Sequence, residues 1–199
     1  MKTLDEAWAW YRAVAEGAKR LTHLAKFWGD LPWGQAYEWV SRMEKDGVLR
    51  HLEADQMEKE AQHITKELDD LAVLVLFSVF EAIVRSLVEE QVRTETAQLK
   101  HPALKKAGDD ALQAIVEGSF FRVLEPYKSQ ANDTLIEQVN QVRHYRNWVA
   151  HGRRPLRGGE YRAKVEPREA YERLKAFLQL LSPPPTATGE ATAQVSQSV

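Results

Sequence analysis

The chain has 199 residues, no cysteine, 10 glycines and 8 prolines, with 27 Lys and Arg against 29 Asp and Glu. That length suits one globular domain with a sizeable core, and the lack of cysteine excludes disulfide frameworks, thiolate metal sites and cysteine nucleophiles. A net charge of -2 excludes a surface that coats nucleic acid non-specifically, but leaves room for one local basic site.

Asp5 and Glu6 stand where an export signal would carry its apolar stretch. The longest apolar run, Leu71–Phe80, is broken only by Ser78 and is too short to span a bilayer. Together they predict a soluble, cytoplasmic protein with no membrane partner.

Thr3 and Glu6 form a capping-box pattern opening a first helix, with Leu4, Trp8, Tyr11, Ala18, Leu24 and Trp28 at helical spacing, which stops at Gly29-Asp30-Leu31-Pro32. A short second helix is expected from about Gln35 to Asp46, ending at Gly47. The 54 residues from Val48 to His101 contain neither Gly nor Pro, which predicts one long helical segment. Its inward candidates include Ile64, Leu68, Leu71, Val75, Val79, Ala82 and Val88, and its apolar middle makes it the central helix of a bundle.

After His101-Pro102, an amphipathic helix is expected over Asp110–Leu124, closed by Pro126. A second capping-box pattern, Thr134 and Glu137, opens a helix bearing Leu135, Val139, Val142 and Val149 and running to Gly152, a natural left-handed stop. Pro167 starts a last helix that turns Ala170, Tyr171, Leu174, Phe177, Leu178 and Leu181 inward. A short β-hairpin around Arg157–Val165 is compatible with the sequence, and Ser182–Val199 has the composition of a disordered tail. The expected architecture is all-α, a mostly antiparallel helical bundle.

Charge is not spread evenly along this plan. From Arg143 to Lys164 there are seven basic residues and one acid, Glu160, so the near-neutral total hides a cationic patch on an acidic body. Such a patch fits a phosphate-bearing ligand gripped at one place; a solvated arginine-rich loop explains the same charge count.

Within the patch runs Arg143-His144-Tyr145-Arg146-Asn147-Trp148-Val149-Ala150-His151-Gly152. Arg146 and His151 are five residues apart, a rotation of about 140° on an ideal helix, so periodicity alone does not put them on one face. Asn147 lies one turn below His151. An imidazole that exchanges its proton near neutrality, beside a fixed cation, suits acid–base work on a phosphate. A helix-terminal cap is the alternative role for His151. Trp148 reads as packing, and His144 as a surface or interface residue.

Elsewhere, Glu81 precedes Arg85 by four residues, which allows an ordinary helix ion pair; its place beside the apolar run equally allows a buried partner for a motif arginine. Glu60-Ala61-Gln62-His63 supplies one Glu-x-x-His and no second copy, short of a di-iron set. There is no HExxH, Walker loop, GxGxxG or GxSxG. No metal or cofactor is expected.

Arg146-Asn147-Trp148-Val149-Ala150-His151, near the end of the penultimate long helix, resembles the signature of the HEPN domains (higher eukaryotes and prokaryotes nucleotide-binding). Leu71–Glu90 with its embedded Glu81 looks like that family's central apolar helix, and Glu166-Pro167-Arg168-Glu169-Ala170-Tyr171 like the start of its last helix. The resemblance covers roughly residues 53–181, leaving 1–50 as an N-terminal helical extension before a HEPN-like bundle at 51–181 and the tail at 182–199.

The resemblance implies a metal-independent endoribonuclease of toxin–antitoxin or phage-defence type, acting on RNA as a homodimer with a composite site and paired with an antitoxin protein in the first setting. The alternative within the family is a non-catalytic adaptor that binds nucleotide, RNA or a partner protein. On the nuclease reading His151 supplies acid–base function, Arg146 stabilises phosphorane charge, and Asn147 orients one or the other. Charge and position, not the family pattern, add Arg143, Arg153 and Arg154 as holders of flanking phosphates.

Overall fold

In the computed structural model the described residues are 1–35, 37–47, 51–129, 133–154 and 163–181. Among them the chain is all helical: α1 (Leu4–Trp28), α2 (Glu38–Lys45), α3 (Ala54–Thr96), α4 (Pro102–Glu117), α5 (Phe120–Leu124), α6 (Asp133–Ala150) and α7 (Pro167–Leu181), with a 3-10 turn at Glu125–Ser129. The expected tail at Ser182–Val199 and most of the expected hairpin lie outside the described residues; Ala163–Val165, the described end of that hairpin, is not a strand.

α3 is the mast of the fold. Free of Gly and Pro, it runs 43 residues, about 65 Å at the helical rise, and α1, α4, α6 and α7 all pack on it. Because neighbours approach from several sides, its buried residues do not follow one stripe. Val73, Leu76, Phe77, Phe80 and Val84 are fully enclosed, while Ile64 and Leu71, expected inward, are 38% and 50% exposed, and Ala82 is exposed as well.

By length and composition alone α3 also contains an 18-residue window apolar enough to cross a membrane, with mean hydropathy 2.2. That apolar middle contributes to the main core, where the Phe120 ring meets Phe77 and Phe80 edge to face at 5.6 and 5.8 Å and Phe177 of α7 closes on Phe80 at 5.7 Å. Aromatic edge contacts of this kind add to the burial term.

The N-terminal segment joins the same core. Thr3 caps α1, its hydroxyl oxygen accepting from the Glu6 amide at 3.1 Å. Leu4 and Ala7 belong to the main core, Trp8 stacks on Tyr171 of α7 at 5.0 Å, and Tyr11 donates to Asp69 of α3 at 3.0 Å. At its far end Trp28 packs with Ala25 and Met57 in a smaller cluster and donates its indole N–H to the Leu52 carbonyl at 2.7 Å.

Several boundaries depart from the sequence expectation, α2 starting at Glu38 and not near Gln35. α4 starts at Pro102, eight residues before Asp110, because Pro fits a first turn and His101 Nδ1 accepts from the Ala103 amide at 3.2 Å. The helix then breaks at Gly118 instead of continuing to Leu124. A Cβ there would lie 2.2 Å from the Ala114 carbonyl oxygen, so the turn into α5 passes too close for a side chain. Arg85 of α3 seals this break, donating to the carbonyls of Ile115 and Gly118 (3.0 Å to the latter) that the ended helix leaves open. α6 in turn begins at Asp133, so Thr134 sits inside the helix and is not its cap. α7 spans Pro167–Leu181 as expected.

Candidate phosphate-binding site

α6 is anchored by Ile136, Val139, Val142 and Tyr145, all buried against α3 and α7. That anchoring turns the motif residues outward or sideways. Arg146 lies partly buried with its Cζ 5.8 Å from the centre of the Phe77 ring, and its Nη1 donates to Asn147 Oδ1 at 3.0 Å. Its Nε is buried without a hydrogen-bond partner. No carboxylate pairs with Arg146 among the described residues, so a partly buried guanidinium is left with a neutral amide and an aromatic face.

His151 follows the last helical residue, with its own amide bonded to the Asn147 carbonyl at 3.0 Å and its side chain exposed. Beyond it the chain makes a Schellman turn: the Gly152 amide donates to the Val149 carbonyl at 3.0 Å and the Arg153 amide to the Trp148 carbonyl at 2.9 Å. Gly152 has φ +77 and Arg153, unusually for a residue with a side chain, φ +54. Glycine suits the first position; the second is held by its side chain.

Arg153 does not stand free for a phosphate, as its charge alone had implied. Its Nε donates to Asp70 Oδ2 at 2.7 Å and its Nη2 to Glu67 Oε2 at 2.6 Å. Asp70 is 8% exposed, and its other oxygen accepts from the Tyr145 hydroxyl at 2.5 Å. The hydrogen bonds to Glu67 and Asp70 raise the Arg153 pKa further, and the bond from Arg153 lowers that of Glu67; burial, then the bond to Asp70, raises that of Tyr145. Lys164 meets Asp69 at 3.2 Å and Glu166 at 3.1 Å. Arg153 and Lys164 are therefore each tied to neighbouring acids of α3.

These acids were missed in the sequence reading. Their only local signal is the run Glu67-Leu68-Asp69-Asp70 just before the apolar stretch; their basic partners lie more than 80 residues away. Glu81, offered as a partner for a motif arginine, pairs with Arg85 at 2.8 Å. Trp148 packs against the core and donates to the Arg154 carbonyl at 2.7 Å, and the Arg154 side chain is exposed.

Arg143, one turn before Arg146, lies on the ring of Phe121 with its Cζ 5.2 Å from the centroid. Its Nε donates to Asn140 Oδ1 at 3.2 Å and its Nη2 is 3.3 Å from His144 Nε2. Burial lowers its pKa. Arg143 and Arg146 thus form a pair of partly buried cations whose described partners are amides, imidazole and aromatic rings, an arrangement that an incoming phosphate would complete.

No protein-family model, curated protein or solved structure matches the chain.

Proposed function

We propose that the protein is a HEPN-type, metal-independent endoribonuclease of the cytoplasm, its helices forming an antiparallel HEPN-like bundle. The observation that carries the reading is Arg146, a partly buried guanidinium with a buried, unpartnered Nε and no described carboxylate, in the same short segment as an exposed imidazole at His151. A buried guanidinium nitrogen normally has a hydrogen-bond acceptor beside it; here the substrate phosphate takes that place.

His151 exchanges the proton between the ribose 2′-oxygen and the leaving 5′-oxygen, Arg146 neutralises charge on the phosphorane, and Asn147 holds the guanidinium through the bond it already makes. No hydrogen bond joins Arg146 to His151 within the chain among the described residues, which favours a composite site in which a second copy contributes the facing motif. The setting this chemistry fits is a toxin–antitoxin or phage-defence system. The test is product chemistry: the full chain incubated with RNA in EDTA yields 2′,3′-cyclic phosphate and 5′-hydroxyl ends.

The same separation of Arg146 and His151 favours, as the second reading, an adaptor that binds RNA, nucleotide or a partner protein without cleaving. It predicts salt-sensitive RNA binding, no cyclic-phosphate product, and equal weakening by Arg154→Ala and His151→Ala.

A further inference from the structure

α6 carries more than the motif. Asp133, Glu137, Asn140, His144, Asn147 and His151 succeed one another at alternating spacings of four and three residues, which places them along one face of the helix. At the N-terminal end of that face an open cleft of 410 Å³ lies between α6 and the α5 segment, lined among others by Phe121, Lys128, Asp133, Glu137, Asn140 and Arg143.

The charges in this cleft are sorted. Lys128 and Arg143 both sit against Phe121, each 5.2 Å from its ring centre; Lys128 also lies 3.9 Å from Glu125 in an exposed pair, so Arg143 is the cation with no described carboxylate. The carboxylates belong to the preceding turns of α6, Glu137 about 9 Å along the axis from Arg143 at the helical rise. A bare phosphate would satisfy the cations and meet like charge at the acids. A ligand with an anion at one end and N–H donors at the other satisfies both.

We propose that this cleft is a nucleotide subsite for single-stranded RNA that selects guanine, with the base edge at Glu137 and Asp133 and the phosphate at Arg143 and Lys128. Guanine carries two adjacent N–H donors, which a carboxylate accepts as a pair. Uracil presents one N–H between two carbonyl oxygens, which a carboxylate repels. The cleft's volume falls within the range of small-ligand sites, about 300–1,000 Å³, and unstacked bases read at their edges are the usual target of sequence-specific RNA recognition. Resting on the nuclease reading, the subsite places cleavage a few nucleotides from a guanine, since Arg143 and His151 are separated by about 12 Å of helix.

The test is equilibrium binding of 5′-GMP and 5′-UMP to the full chain, followed by mapping of cleavage in an RNA with a single guanine at varied positions. GMP is expected to bind about tenfold more tightly than UMP. Glu137→Gln, at an exposed position, removes the preference, and Arg143→Ala weakens both ligands. Cleavage follows the guanine in the wild type and loses that register in Glu137→Gln. Equal affinity for GMP and UMP, no binding of either, or a preference unchanged in Glu137→Gln overturns the subsite. Cleavage without guanine register also overturns it while leaving the nuclease standing, whereas selective GMP binding without RNA cleavage supports it and removes the nuclease.

Discussion

Asp70, buried in the middle of α3, holds Arg153 just beyond the end of α6, with Nε to Oδ2 at 2.7 Å. Through its other oxygen Asp70 takes the Tyr145 hydroxyl, so one carboxylate fixes both the last turns of α6 and the chain leaving it. Residues 151 and 152 lie between those fixed points. The position of His151 is thereby set from α3, more than 80 residues earlier in the chain.

Asp70→Asn weakens the bond to a charged guanidinium in a largely buried place. The expected loss is about 2 kcal/mol, measured by urea denaturation. RNA cleavage by the folded fraction is expected to fall as well, because His151 loses its tether; an unchanged rate per folded molecule would separate stability from positioning.

Gly152→Ala tests the turn itself. A Cβ there meets nothing within 4 Å, so the cost is that of the left-handed backbone alone, about 1 kcal/mol. Gly118→Ala is expected to cost more, since its Cβ would overlap the Ala114 carbonyl. Thermal melts of the two variants against wild type check the order.

The tyrosines that bond to α3 acids give the alkaline limb of stability a definite sign. Burial, then the bond to Asp69, pushes the Tyr11 pKa up to about 12 from its ordinary 10.0, and Tyr145 moves in the same direction. A raised folded-state pKa means stability fully present below the unfolded value and lost as pH climbs through the folded one. Stability is therefore expected to decline between about pH 10 and 12, and Tyr11→Phe to flatten that decline in pH-dependent denaturation curves.

Phe77 joins core and site, being 1% exposed with the Arg146 guanidinium over its ring. Phe77→Ala is expected to cost about 3–5 kcal/mol by leaving a cavity. Phe77→Leu, which refills most of that volume, is expected to keep the fold and weaken RNA binding severalfold through the lost cation–π contact. Denaturation midpoints and RNA titrations distinguish the two effects.

Local signals in the sequence located what local physics determines. Thr3 caps α1, Pro167 opens α7, and Gly152 ends α6 in a left-handed turn. What escaped depends on partners distant in the chain. The inward side of α3 could not be read from one periodic stripe because neighbours cover several of its sides. The break at Gly118 depends on a close approach to Ala114 and on Arg85 reaching across from α3. For the candidate site, Arg146, Asn147 and His151 stand out in the sequence as a pattern. That Arg153 is spent on Glu67 and Asp70, while Arg143 and Arg146 meet no described carboxylate, follows only from packing.

On the proposed function, Arg146 and His151 run a metal-free cleavage of RNA. It is tested most directly by comparing wild type, Arg146→Ala and His151→Ala, each confirmed folded by circular dichroism, on single-stranded RNA in EDTA. The wild type is expected to cleave, and each variant to lose at least about a hundredfold in rate; equal cleavage by all three, or wild-type cleavage abolished by EDTA, would contradict that mechanism.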